Sequence, residues 1–128
     1  MNPRTLIAML AVAFLAIAAG LSTTVRAASA ETTEDGAVVI AAQDQAFVPS
    51  TVTVKGGGPV TLRLDNRDTF DNEHDIEVRD ADFKTLAKTP GTCFGPCQLS
   101  LTFTPPAPGT YSFICIVHDD MNGVLIVN

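Results

Sequence analysis

The chain has 128 residues, with fourteen acidic residues against eight basic ones and a formal net charge of −6, a length that allows one modest domain. This balance, with no cluster of Lys or Arg, excludes nucleic-acid and anionic-membrane binding and points to a basic partner. Only two His, three Met and three Cys occur, so chemistry resting on those side chains must use nearly all of them.

Residues 1–30 read as a cleaved secretory signal peptide. Arg4 gives a positive start, Leu6 to Leu21 is an apolar run, and Ala28-Ser29-Ala30 is a small-residue cleavage site that leaves Glu31 first. Val25-Arg26-Ala27 offers cleavage after Ala27 as an alternative. The apolar run is shorter than the ~20 residues that span a bilayer, so a retained anchor is the less favoured reading. The expected product, residues 31–128, is a single exported domain, periplasmic or extracellular. It keeps six basic and all fourteen acidic residues, a net charge of −8.

Along that domain short apolar alternations are separated by Gly, Pro, Asn and Asp, as in an all-β protein. Ala37 to Ala42 is the first strand. Val52 and Val54 alternate with Thr51 and Thr53 before a Gly56-Gly57-Gly58-Pro59 turn, after which Val60, Leu62 and Leu64 alternate with Thr61, Arg63 and Asp65. Residues 65–77 are rich in acids, but a calcium loop starting at Asp65 would place Arg67 at position 3, where an oxygen donor is needed, and the segment holds no Gly. They read as a solvated acidic loop leading to His74.

His74, Ile76 and Val78 then share one face of a strand, with Asp75, Glu77 and Arg79 on the other. Asp80 to Lys88 has room for a helical turn. Leu99, Leu101 and Phe103 oppose Ser100, Thr102 and Thr104, and Pro105-Pro106-Ala107-Pro108-Gly109 breaks that run. Tyr111, Phe113 and Cys115 face inward on the next strand, and Val124 to Val127 forms the last. Seven or eight short strands, each with one apolar face, predict a Greek-key β-sandwich.

Three Cys in an exported chain is an odd number and flags one free thiol. Cys93 and Cys97 are near neighbours, so a local disulfide is expected, with Cys115 left over; a separate two-Cys metal site is the rival assignment. Cys115 opens a loop that also carries His118 and Met121. A thiolate, two imidazoles and a weak thioether are the donor set of a blue copper site. His74, in inward phase with Ile76 and Val78, supplies the second imidazole, and Met121 is the one Met beyond the leader. The expected ligands are His74, Cys115, His118 and Met121, with one type 1 copper per chain.

Three stretches resemble the cupredoxin family of small type 1 copper proteins, in its plastocyanin and amicyanin group. They are Ala46-Phe47-Val48-Pro49 with the following Thr/Val alternation, Asn66 followed by His74-Asp75-Ile76-Glu77-Val78, and Pro108-Gly109-Thr110-Tyr111-Ser112-Phe113-Ile114-Cys115 with His118 and Met121. The short Cys-x-x-His-x-x-Met spacing is similar to that of amicyanin-like members. The resemblance implies an eight-stranded sandwich with copper at one pole. It also implies His74, Cys115 and His118 in a plane, Met121 axial, and His118 as the exit for the electron.

Two residues depart from the family pattern. Asp75 stands where plastocyanin-like relatives often carry Asn, and an acid there either lowers the potential or points to water. Asp119 and Asp120 replace residues of the usual apolar docking rim with negative charge. The function implied is an exported, soluble, monomeric electron-transfer protein, not an enzyme, since a second copper site would need further His. A copper carrier using the same ligands is the alternative.

Overall fold

The computed structural model describes residues 29–69 and 72–128. The expected signal segment therefore lies outside the described residues, except for Ser29 and Ala30. Among the described residues no helix is long and apolar enough to cross a membrane.

Twelve strands form among the described residues: β1 (Glu31–Thr32), β2 (Val38–Gln43), β3 (Ala46–Val48), β4 (Thr51–Val54), β5 (Val60–Asn66), β6 (Glu73–His74), β7 (Glu77–Arg79), β8 (Thr85–Lys88), β9 (Cys93–Phe94), β10 (Cys97–Phe103), β11 (Gly109–Ile114) and β12 (Asn122–Val127). Seven of them have four residues or more, in line with the seven or eight read from the alternation. One sheet runs β1-β2-β5-β10, with β3 paired to β2, a second runs β4-β12-β11-β7-β8, and β6 and β9 form a separate two-stranded sheet. The pairs β2–β5 and β4–β12 are parallel and the rest are antiparallel. Parallel neighbours cannot be joined by a tight hairpin. The chain therefore crosses between sheets, as a Greek-key sandwich requires.

Period-two patterning explains which faces meet. Along β5, Val60, Leu62, Leu64 and Asn66 are buried and alternate with half-exposed Thr61, Arg63 and Asp65. The outward residues form cross-strand pairs with β10: Thr61 and Thr102 hydroxyls bond at 2.8 Å, and Gln98 donates to Asp65 at 3.2 Å. Inward residues of both sheets, including Ile40, Leu62, Leu64, Val52, Val78, Phe113 and Leu125, make one core. The Tyr111 hydroxyl donates to the Ala107 carbonyl at 2.6 Å, which ties the proline-rich turn to β11.

Phe113 is fully buried and meets Phe47 edge-on, with ring centroids 5.1 Å apart. Its ring lies over Gly123, its partner on β12, where a Cβ would collide with the ring. Gly123→Ala is therefore expected to cost about 1–3 kcal/mol through overpacking. A lowered urea midpoint at unchanged m-value checks this, and an unchanged midpoint contradicts it.

The structure corrects four sequence expectations. Residues 74–78 are not one strand: β6 pairs with β9, β7 pairs with β8 and β11, and Asp75 and Ile76 bridge between the sheets. Asp75 and Glu77, expected in solvent, are buried. The segment 80–88 holds a hairpin and no helical turn, because the Asp80 carboxylate accepts the Asp82 and Lys84 N–H groups and closes the bend. The acidic loop is not wholly solvated, since Asp68 is 6% exposed.

Burial alone would push the Glu77 carboxyl up, but hydrogen bonds from Thr85 at 2.6 Å and Arg79 at 2.8 Å hold it below its usual range. Its folded value lies below the unfolded one, so its stabilisation is present above about pH 4.3 and is lost as pH falls through the folded value. Glu77→Gln should flatten the fall in stability between about pH 5 and pH 3. An equally steep acid limb in the variant would rule this out.

Candidate metal centre

The centre is assembled where β11 ends and two loops meet. β11 turns Tyr111 and Phe113 inward, and Cys115, the residue after its end, continues that phase, which brings the thiol to the pole of the sandwich. The Cys115 N–H donates to the Met121 carbonyl at 3.0 Å, closing the loop 115–121 on itself just before β12. Asp120 takes a left-handed conformation (φ 64°), which Asp tolerates better than most residues. His74 arrives on β6, paired to Cys93 of β9, and is fully buried.

Three donor atoms converge. Cys115 Sγ lies 3.8 Å from His74 Nδ1 and 3.6 Å from His118 Nδ1, and all three donors fall within 4.8 Å of one another. Donors bonded at about 2.0–2.3 Å to one cation and spread about 120° apart would lie about 3.8 Å from each other. The observed spacing fits a shared metal ion better than direct sulfur–nitrogen hydrogen bonds. Met121 is buried and borders, with Cys115, His118 and Arg79, a cleft of about 300 Å³. Soft thiolate and thioether with two imidazoles suit copper.

The sulfur's surroundings bear on its charge. Burial pushes the Cys115 thiol up; the backbone N–H groups of Asp75 and Val117 oppose that shift, and the Asp75 carboxylate adds to it. The metal-free thiol is thus held protonated, and a bound cation would reverse this. Asp75, 3% exposed, accepts the Ile116 N–H at 2.8 Å and so fastens the His74 segment to the Cys115 loop. Of the two orientations open to it in the sequence, it takes the inward one.

One residue escaped the sequence reading. The Asp68 Oδ2 lies 2.8 Å from His74 Nε2, and the hydrogen bond from His74, followed by that from the Asp44 N–H, holds the Asp68 carboxyl below its usual range. Asp68 lies in the irregular loop between β5 and β6, where strand alternation does not operate, so no local pattern marks it.

Asp119 and Asp120 are exposed beside half-buried His118, and they border the cleft together with Arg79, so the rim is acidic but not uniformly so. Ile116 and Val117 are exposed as well and keep part of an apolar surface. Cys93 and Cys97 are joined by a disulfide, and among the described residues Cys115 is the free thiol.

A family model described as a cupredoxin-like domain matches residues 6–127. The chain belongs to the cupredoxin family. This cupredoxin is similar to auracyanin A, a blue copper protein from Chloroflexus aurantiacus, at 25% identity and TM-score 0.60, covering 72% of this chain and 98% of that one. It is also similar to a reduced Cu(I) form of an amicyanin variant, at 28% identity and TM-score 0.56, covering 78% and 92%. A copper-containing nitrite reductase from Thermus scotoductus matches at 26% identity and TM-score 0.55, but this cupredoxin covers 22% of that chain. Comparison with curated protein sequences yields no match.

Proposed function

We propose that this cupredoxin is an exported electron-transfer protein that holds one type 1 copper through His74, Cys115, His118 and Met121. The observation that carries the reading is the convergence of the Cys115 sulfur and two imidazole Nδ1 atoms at 3.6–3.8 Å. Copper held this way supplies reversible one-electron cycling between Cu(I) and Cu(II). The chain supplies a rigid cage. β11, the closed loop 115–121 and the Asp75–Ile116 bond hold the donors in place, which keeps rearrangement between oxidation states small.

His74 is sealed in the core while His118 reaches the surface among Ile116, Val117, Asp119 and Asp120. His118 is therefore the group through which an electron leaves, and the surface around it suits a partner with an apolar centre and basic rim. The net charge of −8 for residues 31–128 supports the same partner. Export to the periplasm or the exterior is supported by the signal-like residues 1–30 and by the Cys93–Cys97 disulfide, a bond characteristic of oxidising compartments. We take the working form to be a monomer and the protein not to be an enzyme.

The deciding experiment is addition of Cu(II) to the purified protein with a visible spectrum. One equivalent should give an intense blue absorption that ascorbate bleaches. Weak, exchangeable copper without that band would favour a carrier.

Docking should depend on salt. With a basic redox protein as partner, the bimolecular rate is expected to fall between about 0.01 M and 1 M salt, as the screening length shrinks from roughly 30 to 3 Å. Replacing Asp119 and Asp120 by Asn should shallow that slope. A rate independent of salt would remove the steering role of these acids.

A further inference from the structure

Asp68 is a buried charge that the set of donors does not itself require. It lies on the loop after β5 at 6% exposure, and four segments of the chain converge on it. The Asp44 N–H, in the turn between β2 and β3, donates to its Oδ1 at 2.9 Å. Its own N–H donates to Asn66 Oδ1 at 3.0 Å. Asn66 Nδ2 in turn donates to the carbonyls of Asn72 at 3.0 Å and Cys93 at 2.9 Å. Gly95, inside the disulfide-closed loop, approaches the Asp68 carbonyl so closely that a Cβ would collide with it. Burying a carboxylate is costly unless it is fully hydrogen-bonded. Here the remaining oxygen, Oδ2, is aimed at His74 Nε2 at 2.8 Å, the ring nitrogen opposite the one that faces Cys115.

We propose that Asp68 is a positioning residue for the metal centre. It accepts the Nε2–H of His74, which selects that tautomer, locks the ring and leaves the Nδ1 lone pair facing Cys115 and the donor cluster. Its fixed negative charge behind the ring favours the more positive oxidation state of the bound metal. A carboxylate on the outer nitrogen of a ligating His sets both the tautomer and the basicity of the ligand. The claim about oxidation state rests on the copper reading above, whereas the claim about the tautomer does not.

The test uses two variants and two readouts. Nitrogen-15 spectra of the His rings are recorded on the metal-free protein about two units above the ordinary imidazole value of ~6.5. The natural protein should show the His74 proton on Nε2 and Nδ1 bare. Asp68→Asn can still accept the bond and should keep that tautomer, whereas Asp68→Ala should give a mixture. With copper added, Asp68→Ala should bind about 10–100-fold more weakly. Asp68→Asn should bind nearly as the natural protein does, but its equilibrium with a redox mediator should shift toward Cu(I) by about tenfold or more.

A proton on His74 Nδ1 in the natural protein, or an unchanged tautomer in Asp68→Ala, overturns the positioning role. An unmoved equilibrium in Asp68→Asn overturns the charge role, and a carboxylate that merely anchors its loop would give that result. If the natural protein shows no blue absorption, the proposed function fails while the tautomer measurement still decides the role of Asp68.

Discussion

Replacing Cys115 by Ser is expected to abolish the intense visible absorption of the copper-loaded protein. Affinity should fall by well over the ~10–100-fold that follows loss of a supporting group. Cys115 Sγ stands next to both imidazole donors, 3.8 Å from His74 Nδ1 and 3.6 Å from His118 Nδ1, and it is the one anionic donor in the set. A Ser hydroxyl is similar in shape but does not become an anion in the accessible range, and it is a hard ligand where copper in its reduced state wants a soft one.

The fold should be largely indifferent to the exchange. The metal-free thiol is held neutral by burial, and Cys93 and Cys97 are bonded to each other rather than to Cys115. Far-ultraviolet circular dichroism and the melting temperature of the metal-free variant should stay close to those of the natural protein, while the blue band is absent. A retained band would place the copper elsewhere.

Phe113→Ala should destabilise the protein by about 3–5 kcal/mol. The ring is fully buried, meets Phe47 edge-on and fills the space left by Gly123, so its removal leaves a cavity in the middle of the core. Domains of this size lose roughly 4–8 °C in melting temperature per kcal/mol. A fall of about 12–40 °C is therefore expected from a total stability of about 5–15 kcal/mol. Phe113 is two residues from Cys115 on the strand that aims the thiol, so the blue band should also broaden or shift. Phe113→Leu keeps much of the volume and should recover more than half of the loss. Thermal unfolding of both variants checks the pair; equal stabilities would show that packing at this position does not hold the core.

The parts of the site that were legible in the sequence are those in which neighbours in the chain are also neighbours in space. Cys115, His118 and Met121 sit on one short loop, so their spacing carries the chemistry directly. The alternation at Val60, Leu62 and Leu64 shows its inward face because side chains of a strand point alternately to opposite sides. Cys93 and Cys97 lie four residues apart and meet within a single loop.

Two of the expectations that failed involve partners far away in sequence. Asp75 looked outward by alternation, yet it turns in because the Ile116 N–H, 41 residues on, is the donor it meets. The strand drawn through His74 and Val78 breaks because its two halves join different sheets.

The sequence by itself determined the candidate donor types, their loop and the β character, since these are properties of local spacing and side-chain chemistry. Only the tertiary structure decided which carboxylates face the metal centre. Packing between sheets brings Asp68 onto His74 and Asp75 onto the Cys115 loop. In the dry core each buried oxygen must find a hydrogen-bond donor wherever the fold places one.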